Sequence, residues 1–430
     1  MDLLIIGFLF LGVLLLLYGI GVPVAIAMGV TSVIVMVSPY GTGLNLGVIA
    51  NQMLYGLNTF TLLAIPFYLL LGRLMNHIGM TRRIFRFAQA LVGQLRGGIA
   101  HVNIVASMLF SGMSGLAVAD AAGLGRVEYT AMRDNGYDKQ LSLGVTGGSS
   151  IIGPIIPPSV PVIIYGVLAE ESIGDLFLAG IIPGILLGLL MMVLVVVIVR
   201  MSGYGIDQVF EWDELWESFK AAFLALLTPL LIIGGILSGW FTATEAGAIA
   251  VVYVLLVGAY YGELNPRGLL QEMRDSTVET FSLTFIVGVA ALYGLVAVQL
   301  QLPIMMANAI TDFTTNTTLI ILLLVLLLLV VGTFMETIAA ISILVPVLMP
   351  VLEISGIDPL HFGIVMILTL MLGLLTPPFG VILFVLEKVT DASIEEVMKA
   401  VLPFYLPILG VLFLIIIFPE IVTIVPEMAN

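Results

Sequence analysis

Apolar runs long enough to cross a bilayer recur along the chain, and only short polar stretches separate them. Backbone N–H and C=O groups in such runs find no water in lipid, so each run must satisfy them internally, as a helix does. The residues between runs are too few to build a soluble domain around them. Of 430 residues, 60% are hydrophobic and 10% charged, whereas a soluble domain carries about 25% charged residues. The chain therefore reads as an all-α polytopic membrane protein, with room for a dozen or so membrane elements of roughly 20 residues each. A net charge of −14 with no basic stripe excludes a nucleic-acid binder. The absence of Cys excludes thiolate catalysis and Cys-type zinc sites.

Met1-Asp2 opens the sequence without a basic n-region, so residues 3–20 read as a first retained span. Further spans are expected near 22–37, 61–78, 141–168, 175–200, 221–238, 243–262, 277–298, 361–386 and 401–420. With the N-terminus outside, Lys and Arg from Arg73 to Lys399 fall on the cytoplasmic side, while Glu170, Glu171, Asp312, Glu353, Asp358 and Glu420 lie outside. This positive-inside bias places both termini outside. Two segments are amphipathic and are expected to lie in the cytoplasmic interface. One is 81–96, with Arg82, Arg83 and Arg86 among Ile84, Phe85 and Phe87; the other is 207–223, with Trp212, Trp216 and Phe219.

A shift of 220 positions aligns the two halves without a gap from 112 to 183. Gly112 meets Gly332, Gly136 meets Gly356, Asp138 meets Asp358, Gly153 meets Gly373, and Pro157-Pro158 meets Pro377-Pro378. Most of these identities are residues that set breaks and turns. In the orientation above the two copies point in opposite senses. Inverted repeats with interrupted helices in matching positions are the sequence pattern of secondary transporters. Four interruptions stand out. The middles of 99–130 (Ser111-Gly112-Met113-Ser114-Gly115) and of its counterpart (Gly332-Thr333-Phe334-Met335-Glu336) suit the tips of re-entrant hairpins, with Thr333 and Glu336 at capping-box spacing. Gly153-Pro154-Ile155-Ile156-Pro157-Pro158-Ser159 and Gly373-Leu374-Leu375-Thr376-Pro377-Pro378 should each break a span, with Pro in the first turn of the restarted helix. Helix N-termini at the breaks favour an anion, and stranded carbonyls and hydroxyls favour a small hard cation such as sodium. Asp120, Glu245 and Glu336 are carboxylates in apolar surroundings and so candidate functional groups. Glu336 equally suits a cap, and Glu245 suits a helix start. His77, His101 and His361 are scattered and read as structural.

Over Ser111–Gly125, Gly147–Val160, Gly332–Pro350 and Gly373–Gly380 the chain resembles the large membrane (M) subunit of tripartite ATP-independent periplasmic (TRAP) transporters, of the ion transporter superfamily. The resemblance implies an inverted-repeat elevator transporter with two re-entrant hairpins and two Pro-Pro-broken helices. It would be a sodium-coupled secondary importer in a bacterial inner membrane. The solute would bear a carboxylate, of sialic acid or C4-dicarboxylate type, and would arrive on a periplasmic substrate-binding protein. A small membrane subunit of about four helices would be a separate polypeptide. By the same resemblance, sodium site 1 would involve Ser111, Gly112, Ser114, Gly153 and Pro154. Sodium site 2 would involve Gly332, Thr333, Glu336, Gly373 and Thr376, and substrate would sit near Ser150, Ser159 and Thr376. No cofactor beyond the coupling sodium is expected. The implied organisation is a first scaffold with a basic arm (1–97), a first transport half (98–200), an interfacial helix with second scaffold helices (201–298) and a second transport half (299–430).

Two other readings compete. A stand-alone sodium–dicarboxylate symporter of the same superfamily shares the architecture without a binding protein. An intramembrane serine protease would use Gly112-Met113-Ser114-Gly115 as a rhomboid-like G-x-S-G, but needs a His beside the Ser, and only His361 lies in a later span.

Overall fold

The computed structural model describes residues 2–38, 45–115, 117–203 and 209–429, with the side chains of 2–9, 111–114, 119 and 311 outside the description. The chain opens with α1 (Asp2–Gly19), α2 (Val24–Val37) and α3 (Val48–Leu57), then α4 (Ala64–His77) and α5 (Met80–Val92). Next come α6 (Gly98–Ser114), α7 (Ala117–Ala122), α8 (Leu124–Asp134), α9 (Lys139–Ser149), α10 (Val160–Ala169) and α11 (Ile173–Ser202). The second half brings α12 (Trp212–Leu237), α13 (Ala243–Tyr261) and α14 (Pro266–Gln299), followed by α15 (Leu302–Phe313), α16 (Thr317–Phe334) and α17 (Thr337–Ser355). The last elements are α18 (Pro359–Leu374), α19 (Val381–Val389), α20 (Ile394–Val401), α21 (Tyr405–Ile417) and α22 (Glu420–Ala429). Among the described residues there is no strand, and seven helices are long and apolar enough to cross a membrane.

Positions matched at the 220-residue shift do the same local work. Gly136 and Gly356 both take left-handed backbone, φ 83° and 64°, just past the ends of α8 and α17. Two residues on, Asp138 accepts from the Leu141 N–H and Asp358 from the Leu360 N–H, capping α9 and α18. Both double prolines are joined by a cis peptide bond. α9 stops at Ser149 and α10 begins only at Val160; α18 stops at Leu374 and α19 begins at Val381. The prolines occupy the breaks themselves rather than the first turns of the restarted helices, contrary to the sequence expectation. Pro161, not Pro158, sits in the first turn of α10.

Other expectations need correction. Residues 212–223 are not a helix of their own: they are the first turns of the 26-residue α12. The amphipathic start of α12 is instead the partner of α5. Arg86 forks onto Glu214 at 2.7 and 2.9 Å, Phe87 meets Phe219 at 5.7 Å, and Arg83 lies 3.8 Å over the Tyr261 ring of α13. The polar start of α14 is likewise helical from Pro266, not from about 277. α3, which lies in a stretch expected to be loop, forms a 63° elbow with the segment Phe60–His77.

α16 and α18 run against each other so closely that glycine is required where they touch. A Cβ on Gly373 would stand 2.6 Å from the Gly332 Cα and carbonyl carbon. Gly373→Ala is therefore expected to push the helices apart and cost about 1–3 kcal/mol, as overpacking does. Thermal unfolding of the purified protein should show a lowered midpoint. Gly234→Ala, where a Cβ meets nothing within 4 Å, should leave the midpoint unchanged or raise it.

Candidate functional site

Each helical turn lost at a break is replaced by local hydrogen bonds. In the first break Ser159 donates through Oγ to the Pro154 carbonyl and accepts from the Val162 N–H, capping α10. In the second, the Thr376 hydroxyl donates to the Leu372 carbonyl at 2.7 Å and Tyr405 donates to the Leu375 carbonyl. The breaks are thus stitched by short side chains and are rigid enough to shape a site, as broken backbone inside a membrane protein must be.

The tips meet these breaks in matching fashion. After α6, Gly115 turns left-handed with φ 59°, and a Cβ there would stand 2.9 Å from the Val160 backbone nitrogen. The first tip therefore rests on the start of α10. After α16, the Thr333 carbonyl accepts from the Gly380 N–H at 3.1 Å, and the Phe334 and Phe379 rings pack at 5.3 Å. The second tip rests on the second break. Both turns fall at the C-terminal ends of the runs that the sequence singled out, at Gly115 and at Met335-Glu336. The capping box does not form. Thr333 donates to the Val330 carbonyl, while Glu336 is itself the N-cap of α17, accepting from Ile338 and Ala339 at 2.9 and 3.3 Å.

A cavity of about 360 Å³ lies where these elements converge. Its lining includes Ala117 and Val118 of α7, Pro154 of the first break, Glu336, Thr337 and Ile338 at the start of α17, and Leu374 at the end of α18. Three lining pairs stand 220 positions apart: Ala117 with Thr337, Val118 with Ile338, and Pro154 with Leu374. Glu279 and Leu283 of α14 add to the wall, with Ala122, Pro161 and Met371. The Thr337 hydroxyl is buried with no hydrogen-bond partner among the described residues. A second cavity of about 680 Å³ lies between α4–α5 and the first hairpin. Glu279 lines it too, with Arg73, Asn76, Arg82 and Asp120. Arg73 pairs with Glu279 at 3.0 Å and also faces Glu272 and Asp275 at 3.5 and 3.9 Å.

The residues proposed for the second sodium site are brought together. Gly332 and Gly373 touch, and Thr333, Thr376 and Glu336 belong to the adjoining tip and break. In the first, Gly153 and Pro154 are buried in the break, with the Pro154 carbonyl accepting a hydrogen bond from Ser159, while the side chains of Ser111 and Ser114 and the surroundings of Gly112 lie outside the description. Ser150 donates to the Gly147 carbonyl, so Ser150, Ser159 and Thr376 all spend their hydroxyls on nearby backbone. Glu245 completes a capping box with Thr242 at the start of α13. His361 meets the Ile415 carbonyl through Nε2 at 2.7 Å. Residues not singled out in the sequence include Thr337, Glu279 and Arg73 at the cavities. A buried polar group under the first hairpin also went unnoticed. There Asn103 donates to Thr146, Ser149 donates to Asn103, and Ser107 donates to Glu128.

A helical membrane protein with interrupted helices around a central cavity is built like a transporter. Its fold matches that of the Alcanivorax borkumensis YdaH transporter with a TM-score of 0.63 over 90% of both chains, at 16% identity. Residues 11–421 match the model of the family described as tripartite ATP-independent periplasmic transporter, DctM component. The chain belongs to that family, as the large membrane subunit. It is 44% identical over 409 residues to the sialic acid TRAP transporter large permease protein SiaM of Vibrio cholerae, covering 95% of each chain. It is 41% identical over 379 residues to the sialic acid TRAP transporter permease protein SiaT of Haemophilus influenzae. That match takes in 88% of this chain and 62% of that protein.

Removing a buried hydroxyl that has no partner costs a fold little. Thr337→Val is thus expected to leave stability within about 0.5 kcal/mol, whereas Glu336→Ala strips the α17 cap and should cost about 1 kcal/mol. Hydrogen exchange at the Ile338 and Ala339 amides checks both, accelerating in Glu336→Ala and unchanged in Thr337→Val.

Proposed function

We propose that the chain is the membrane-spanning part of a sodium-coupled importer of an acidic solute, working in a bacterial inner membrane by an elevator motion. The observation that carries this reading is the convergence of the second tip, both breaks and the arm after the first tip on one cavity lined at matched positions. The buried Thr337 hydroxyl in the cavity, without a partner among the described residues, is suited to a solute oxygen, and the tip–break contacts offer carbonyls and hydroxyls suited to sodium. Sodium bound between tip and break would order each hairpin before the solute enters. The two halves, 98–200 and 299–430, would move as inverted copies against a scaffold of 1–97 and 201–298.

Sialic acid is the favoured solute over a C4-dicarboxylate, because the relatives at 44% and 41% identity are named for it. A periplasmic binding protein would deliver the solute. The 38% of the Haemophilus protein outside the match, the remainder of its 62% coverage, leaves room for a small membrane subunit that would here be a separate polypeptide.

The test is uptake of sialic acid into proteoliposomes holding the chain, its small subunit and the loaded binding protein. Uptake is expected only with an inward sodium gradient. Ser114→Ala and Thr376→Ala should each lower it at least about tenfold, equivalent to about 1.4 kcal/mol of lost binding. Unchanged uptake and sodium dependence in both variants would remove the site assignment, and uptake without sodium would remove the coupling.

A further inference from the structure

Glu279 is the one described side chain that lines both cavities. Its carboxylate is held by Arg73, Nε at 3.3 Å and Nη2 at 3.0 Å. The pair therefore stands where the inner cavity, among the tips and breaks, adjoins the wider one beside α4 and α5. The wider cavity also carries Arg82, and the density of Arg on α5 puts it on the cytoplasmic side. Where the two cavities share a wall, this pair is its polar element.

We propose that Arg73 is a transient contact for the solute's carboxylate on its release path, and that Glu279 occupies that guanidinium between passages. This rests on the acidic-solute reading given above. The chemistry of the exchange is nearly balanced, since a guanidinium fork binds any carboxylate in the same geometry. Arg73 and Glu279 side chains are 36% and 30% exposed, so water can assist the exchange, and neither charge is stranded while the partners change. The direction comes from the surplus of acid. Glu272, Asp275 and Glu279 face the single Arg73, from one face of α14 at spacings of three and four residues. Tethered carboxylates act at a high effective concentration, so they recapture Arg73 and expel the solute toward Arg82. The gate admits an anion briefly and does not retain it.

The experiment is calorimetric titration of sialic acid and of its methyl ester, in sodium, into the chain purified with its small subunit. Glu279→Gln removes the competitor and should tighten the acid's dissociation constant about two- to fivefold, the range open to an ion pair this exposed. The ester should be unaffected. Adding Arg73→Gln should abolish the gain. Glu272→Gln, which removes a competitor at 3.5 Å rather than 3.0 Å from the guanidinium, should tighten the acid less than Glu279→Gln does and leave the ester unaffected. Equal shifts for acid and ester, a gain that survives Arg73→Gln, or no gain in Glu279→Gln overturns the gate. Uptake by the unsubstituted complex separates the failures. If sodium-driven uptake is absent, the importer reading has failed; if it is present without the Glu279→Gln gain, only the gate has failed.

Discussion

Every interrupted helix in this chain faces one constraint: backbone polar groups at membrane depth must be satisfied without bulk water. The structure answers it by pressing each interruption against another. Gly115 lies on the start of α10, and Gly332 on Gly373, with Gly380 donating to Thr333 across the second contact. Short hydroxyls bridge the remaining gaps, Ser159 in the first break and Thr376 in the second. The cost of breaking helices is thereby confined to one region, and that region contains the cavity. A chain with only 10% charged residues builds its site largely from backbone and small side chains for the same reason.

The constraint also explains which polar residues lie deep and which do not. Asn103, Thr146 and Ser149 tie α6 to α9 beneath the first hairpin, and Ser107 reaches Glu128 of α8. These bonds hold the hairpin as a body while its tip stays close to the break. Charged pairs gather instead on the side rich in Arg. Arg86 with Glu214 fastens α5 to α12, and Arg73 with three carboxylates fastens α4 to α14. Both clasp elements that lie outside the tips and breaks to one another.

Much of this was legible because Gly, Pro and Asp act locally. Gly136 and Gly356 end helices, Asp138 and Asp358 start the next, and the double prolines interrupt at matched positions. Apolar runs placed most spans but failed where polar and apolar stretches fuse, as in α12 and α14, because a helix continues once its polar turns find partners such as Arg86 and Arg73. Within the run that marks the second tip, Gly332 serves a close helix approach and the turn falls at Met335-Glu336. Capping by Glu336 rather than Thr333 follows from that position. Thr337 was adjacent to a named candidate, and Glu272, Asp275 and Glu279 share a helix face in the sequence. What no local rule supplies is the pairing of that face with Arg73, some two hundred residues away, which tertiary packing decides.

The central claim is that the matched interruptions enclose one solute site, and the chain's lack of Cys allows a clean test. Ala117→Cys and Thr337→Cys, made one at a time, each place a thiol on the lining of the inner cavity, at positions matched by the 220-residue shift. The measurement is their rate of modification by a small charged thiol reagent in membranes, with and without sialic acid and sodium. The account expects both thiols, not one of them, to be slowed by solute and sodium together. Modification of either at a rate indifferent to solute and sodium would contradict it.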